Sequence, residues 1–278
     1  MRIFGLDFTS APRRRKPMTC AACTFTGDAL LVDGLVALES FEVFENFLTQ
    51  EGPWMAGMDF PFGQPRVLID ALGWPQDWDG YVRRVGDLSM RDFETLIAEF
   101  RDSRPTGKKH PRRAVDFLAD SRSPLTMFRV PVGRMFFQGA PRLRAAGVEV
   151  LPCRDQGSER CAVEAYPALA ARKIIGRNSY KSDTKAQQTE ERGRHRRAVV
   201  EALSNGEFAE HYGFEIHLPE ALAEEMAADP SGDWVDAALC ALQAAWSWQR
   251  RGEGFGIPGE ADPNEGWIVD PATGGTVH

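Results

Sequence analysis

Four carboxylates stand at or near the ends of apolar runs, where side chains can meet at one edge of a fold. Asp7 closes RIFGLD (residues 2–7), Asp59 closes WMAGMD (54–59), and Glu164 sits late in CAVEAY (161–166). Asp236 falls in the first turn of DWVDAALCAL (233–242), with Asp233 three residues ahead of it. Acids three apart share a helix face, and a helix N-terminus favours negative charge. Bare carboxylates brought together repel one another, so they require protonation, cationic neighbours or a bound metal. Oxygen-only donor sets suit hard cations such as Mg²⁺ and Mn²⁺. Two such ions about 4 Å apart activate water and stabilise the leaving oxygen in phosphodiester cleavage. That chemistry uses no His or Cys nucleophile. Each acid also has a plainer role: Asp233 as a helix N-cap, Asp7 and Asp59 as turn caps. Glu164 is harder to assign that way, because a buried carboxylate without partners is costly.

Positive charge is segregated along the chain. The net charge is −7, which argues against a general polyanion binder. Yet residues 101–113 carry six Lys/Arg against one Asp, and residues 172–197 carry nine against three acids. Residues 198–249 hold no Lys or Arg and ten acids. A third cationic stretch, Arg13, Arg14, Arg15 and Lys16, follows Asp7. Solvated helix faces account for isolated charge runs, but three such segments suggest a surface that meets phosphate. Lys108, Lys109, Arg134 and Lys181 are further candidates, with ion pairing to nearby acids as the alternative. His110, in the basic segment, could move a proton near neutral pH or simply face solvent.

The elements that must position these groups can be read from periodicity. Residues 2–8, 18–26 and 29–38 read as strands joined as a meander, with Gly27-Asp28 as a turn. Residues 41–51 place Phe41, Phe44, Phe47 and Leu48 at helical spacing. A short run ending at Asp59 follows, then mostly helix over 64–104 with several Gly/Pro breaks. Residues 133–146 read as a helix closed by Gly147, and 148–152 and 160–166 as strands. Helices are expected over 182–204, 218–229 and 233–250, the last with Asp233 as N-cap and a stripe of Ala238, Leu239, Leu242, Ala245 and Trp246. Strands first, then strand–helix alternation, predict one mixed sheet with helices on its faces. The Phe136-Phe137 and Trp246/Trp248 pairs are expected in the core.

Several stretches are similar to one family: GLDFTSAPRRRKP, GMDFPFG, RVPVGRMFFQGAPRLRAAGVEVLPCR, AVEAYPALAARKIIG, SYKSDTKA and EGWIVDP. Together they resemble the DUF429 family, regarded as predicted nucleases of the ribonuclease H-like fold, over about residues 2–271. The resemblance implies an α/β fold, a ribonuclease H-like mixed β-sheet flanked by helices with helical insertions. It implies one domain over residues 1–278, with a basic insertion around 101–126 expected to be mobile. By the same resemblance Asp7 corresponds to the acid of the central first strand and Asp59 to that of the fourth. Asp233 and Asp236 resemble the acid pair that opens the last helix of Holliday-junction resolvases. Asp7, Asp59, Glu164 and Asp236 are therefore the expected catalytic residues, and Asp7, Asp59, Asp236 and Asp233 the expected ligands of one or two Mg²⁺ or Mn²⁺ ions. Glu164 departs from the resolvase pattern.

The expected activity is metal-dependent hydrolysis of nucleic acid, DNA or RNA, with phosphate held by Arg13, Arg14, Arg15, Lys16, Lys108, Lys109, Arg134 and Lys181. Two alternatives stay open: a binding module that kept the fold without catalysis, and a phosphotransferase relative, for which the chain is short of two lobes. No apolar run nears the ~20 residues that span a bilayer, and Asp7 interrupts the N-terminal run, so no signal peptide is expected and the expected location is cytoplasmic. The lone Cys20/Cys23 pair lacks a partner pair for zinc, so buried free thiols are expected.

Overall fold

The computed structural model describes residues 1–274. Seven strands form one sheet: β1 (Arg2–Asp7), β2 (Met18–Phe25), β3 (Ala29–Leu38), β4 (Trp54–Met58), β5 (Glu149–Leu151), β6 (Arg160–Glu164) and β7 (Glu215–His217). Their order is β5-β6-β4-β1-β2-β3-β7. The meander β1-β2-β3 is antiparallel, whereas β4 and β6 run parallel to β1. Parallel neighbours align their C-terminal ends, so Asp7, Asp59 and Glu164 emerge at one edge. A central first strand flanked by a meander and by parallel strands is the ribonuclease H-like arrangement.

Eleven α-helices cover the two faces among the described residues. On one side α1 (Phe41–Leu48), α2 (Arg66–Ala71), α3 (Trp78–Gly86), α4 (Met90–Asp102) and α6 (Val132–Ala146) enclose an aromatic core around Phe44, Trp54, Trp78 and Phe136. Short α5 (Ala114–Leu118) leads into the cleft described below. The other side holds α7 (Pro167–Ile175), α8 (Glu190–Ser204), α9 (Glu207–Tyr212), α10 (Glu220–Ala228) and α11 (Asp233–Gln249). Strand residues alternate between the two cores: Met55 and Val163 face the second, Ala56 and Ala162 the first. Cys20 and Cys23, three apart on β2, bury their thiols on opposite faces for the same reason.

The seat of α11 sets the site. Gly5 of β1 and Gly57 of β4 are paired in register, and α11 crosses directly above them. A methyl group at Gly5 would collide with the Ala237 carbonyl and the Ala241 amide, and one at Gly57 with the Cys240 carbonyl. Only glycine on the sheet and small residues on the helix permit this approach. It brings the first turn of α11, with Asp233 and Asp236, over the strand ends that carry Asp7 and Asp59. Fourteen residues of α11 are buried on every side, so the expected single apolar stripe is in fact an all-round core helix.

Two expectations need correcting. Asp233 is not the N-cap of α11: Gly232 takes that position in a left-handed conformation (φ 73°), and the Asp233 amide donates to Asp229 Oδ2 at 3.1 Å. The carboxylate of Asp233 is thereby left for Lys16. The helix expected from 182 begins only at Glu190, capped by Thr189, because residues 180–183 are drawn into contacts with the site. Strand β7 had no sequence expectation; it is three residues long with one buried side chain, too short to show a period. The region 64–104 is, as expected, mostly helical with breaks: three helices separated at Gly73 and around Asp87. No helix among the described residues is long and apolar enough to cross a membrane.

Candidate functional site

Asp7 ends β1 and Asp59 follows β4, with the Asp59 amide donating to the Leu6 carbonyl at 2.9 Å. Both side chains are half-buried. Burial pushes the Asp7 carboxyl up to about 8; Lys181 and Lys16 oppose this, while Asp233 and Asp59 add to it. Burial likewise raises Asp59 to about 6, against the pull of Lys181 and with a small push from Glu164. Neither carboxylate has a hydrogen-bond donor among the described residues. They are charges placed in a poorly solvated corner with too little positive charge around them.

The two acids of α11 are different, because each has its own ammonium partner. Asp233 accepts from Lys16 Nζ at 2.8 and 3.1 Å, and Lys16 also reaches Asp183 at 2.5 Å. Burial works against the Lys16 charge, but Asp183 and Asp233 outweigh it and hold its pKa above the usual value. Asp236 is fully buried; it accepts from the Tyr180 hydroxyl and pairs with Lys181 Nζ. Tyr180, Lys181 and Asp183 all lie on the loop between α7 and α8, so that loop is latched to the site through both acids.

Glu164 takes another role. Arg113 clamps its two oxygens at 2.6 and 2.7 Å, and the Phe62 amide donates to it at 3.0 Å. The same guanidinium holds Asp116 at 2.8 Å and the Glu265 carbonyl at 2.8 Å. All three charged side chains are at least 97% buried. Burial pushes Glu164 up and the Arg113 charge opposes it. This network ties the basic 101–126 segment to β6 and to the C-terminal stretch, where Ile268 pairs with Glu164. Arg113 was not expected as a site residue. Its signal was the Arg113/Asp116 spacing of three in RRAVD, which lets the Asp116 carboxylate accept from the Arg113 amide at 2.8 Å at the start of α5.

The remaining cations are spread out. Arg13 and Lys16 pair backbones in a tight turn, leaving Arg13, Arg14 and Arg15 exposed beside the Lys16–Asp233 pair. Lys109 pairs with Asp102 at 3.1 Å, and Arg134 with Glu94 at 2.6 Å. Neither of these, nor Lys108 or His110, is among the described residues that line the cleft. His110 sits edge-on to Phe128, its pKa lowered by partial burial and by Arg101 and Lys109.

A cleft of about 430 Å³ opens from Asp59 and Lys181 toward Arg113, between α7 and residues 113–135. Arg122, Arg172 and Arg177 on its wall were not singled out in the sequence, because they belong to two basic segments, 101–126 and 172–197, that only the fold brings together.

Does this donor set fit a divalent cation? Among the described residues no three His, Cys, Asp or Glu side chains stand together in a ligating group. Asp7 and Asp59 fit one by chemistry: two unpartnered oxygen donors in an electron-rich corner. Asp236 and Asp233 would join them only by releasing Lys181 and Lys16. Glu164 is committed to Arg113.

A family model described as protein of unknown function (DUF429) matches residues 5–262. No curated protein and no solved structure matches the chain.

Proposed function

The chain belongs to the DUF429 family, and from its site we propose that this member is a metal-dependent phosphodiesterase acting on nucleic acid. The observation that carries the reading is the pair Asp7 and Asp59, side by side at the ends of parallel strands, both pushed up in pKa and without donors among the described residues. Such a pair is stabilised by a hard cation. Asp7 and Asp59 would hold Mg²⁺ or Mn²⁺, which supplies an activated water and neutralises the leaving oxygen. Water oxygen bonds to phosphorus, the ester bond breaks, and the water proton leaves to solvent while the departing oxygen takes one up. Lys16 and Lys181 supply positive charge on either side of the acids, and exposed Arg13, Arg14 and Arg15 add a phosphate-binding turn. Tyr180 and Asp236 position Lys181.

Purified protein incubated with labelled single- and double-stranded DNA and RNA plus Mn²⁺ tests this. Cleavage that disappears in Asp7→Asn supports it; no cleavage above that variant on any substrate refutes it.

A second reading has one observation in its favour. Lys16 and Lys181 already neutralise Asp233 and Asp236, which suits a binding module without catalysis. A ligand of the native state raises its melting temperature. Absence of any Mn²⁺-induced shift in the wild-type protein would favour this module.

A further inference from the structure

We infer that the cleft beside Asp59 binds a single nucleotide unit, either a free nucleotide or the terminal nucleotide of a strand. As a statement about substrate it rests on the hydrolase reading above; as a statement about binding it stands on the cleft alone.

The volume comes first. A cleft of about 430 Å³ lies within the range of small-molecule sites, roughly 300–1,000 Å³. It is far too small to seat a duplex. Its wall is also two-sided. Phe60, Val130, Val132, Met135 and Tyr166 supply apolar surface for a base and sugar. Arg122, Arg172, Arg177 and Lys181 supply positive charge. Lys181 is paired with Asp236 and Arg177 with Asp120, so Arg122 and Arg172 carry the wall's uncompensated positive charge. Asp116 and Glu164 are consumed by buried Arg113, and Asp59 is the unpartnered acid at the mouth.

The three arginines are held differently. Arg172 is fixed, donating to the Ala119 carbonyl at 2.8 Å and the Tyr166 hydroxyl at 3.2 Å, with its guanidinium over the Tyr166 ring. Arg177 pairs with Asp120 at 2.8 Å near the surface. Arg122 is exposed and makes no hydrogen bond among the described residues, so its charge is available to a phosphate.

Cations that could track a longer strand lie elsewhere. Lys108, Lys109 and Arg134 do not line the cleft, and Arg13 to Arg15 sit on the turn between β1 and β2. The wall itself is pinned: the Ser123 hydroxyl donates to the Pro111 carbonyl at 2.6 Å, and the Gly133 amide to the Thr126 carbonyl at 3.0 Å. One nucleotide enters; a continuous strand has no second cationic track inside.

Calorimetric titration of the full chain with a nucleoside 5′-monophosphate tests this. Binding is expected below millimolar Kd. Arg122→Glu and Val130→Glu, both at solvent-reaching wall positions, are each expected to weaken it at least tenfold while keeping the wild-type melting temperature. Arg91→Glu, outside the cleft, is expected to leave it unchanged. No binding at 1 mM, or binding indifferent to both wall variants, overturns the inference. Linear and circular single-stranded DNA with Mn²⁺ then separate the two sources. Degradation of the linear form with a resistant circle assigns a strand end. Turnover of free nucleotide derivatives alone assigns a small substrate. Mononucleotide binding without hydrolysis of any substrate refutes the hydrolase reading and leaves the binding site standing. Equal cleavage of circle and line, without mononucleotide binding, does the reverse.

Discussion

Replacing Asp7 by Asn removes a charge that its surroundings oppose. The Asp7 carboxyl moves from its ordinary value of 3.8 to about 8 in the folded protein. Below pH 3.8 it is protonated in both states and costs nothing. Between pH 3.8 and about 8 the native state binds the extra proton, so stability falls as pH rises. Above pH 8 the penalty is complete. The full displacement corresponds to at most about 6 kcal/mol, but the side chain reaches solvent, and screening reduces this to about 2 kcal/mol. For a chain of this size that is roughly 3 °C in Tm. Melting curves of wild type and Asp7→Asn, in chelator at pH 5, 6, 7 and 8, provide the assay. The variant should be the more stable protein, with an advantage small at pH 5 and widening toward pH 8. Saturating Mn²⁺ should narrow the gap by stabilising wild type alone. A variant less stable than wild type at pH 8, or a difference constant with pH, would refute the argument that Asp7 is a charge in want of a cation.

Three further outcomes follow from the same contacts. Glu164→Gln breaks a buried pair with Arg113 and should cost about 3 kcal/mol in urea unfolding, the lower end of such losses because Asp116 still faces Arg113; Mn²⁺ affinity of the folded fraction should be unchanged, and a large loss would make Glu164 a ligand. Lys181→Met removes the ammonium paired with Asp236 and should raise Mn²⁺ affinity about tenfold by calorimetry, since it removes a nearby like charge and frees a carboxylate; weaker binding would contradict the competition between this lysine and a metal. Gly5→Ala should cost more than about 3 kcal/mol, or prevent folding, because the methyl meets the backbone of α11; a loss below about 1 kcal/mol by denaturant titration would show that α11 is not seated on β1 as described.

Much of the architecture was legible because period and punctuation are local. The apolar runs of β1 to β3, the Gly147 stop of α6 and the apolar density of α11 are written in contiguous residues. Where reading failed, a tertiary partner had overridden a local rule. Asp233 looked like an N-cap, but Gly232 could take a positive φ and Lys16, 217 residues away, could take the carboxylate. Residues 182–189 looked helical, yet the loop that holds Tyr180, Lys181 and Asp183 against the site occupies them. Strand β7 exists because Ala29–Leu31 offers an open edge to pair with, which no property of residues 215–217 announces.

The sequence by itself determined which acids stand at element ends, that oxygen donors and not thiols or imidazoles form the candidate site, and that the chain belongs to an α/β class with a mixed sheet. These follow from residue type and short-range spacing. Only the tertiary structure decided which acids are free. Asp7, Asp59, Glu164 and Asp236 read alike along the chain, but Arg113 takes Glu164, Lys181 and Tyr180 take Asp236, and no donor among the described residues takes Asp7 or Asp59. Charge compensation depends on distances between groups far apart in sequence, and the close seat of α11 on Gly5 and Gly57 sets those distances.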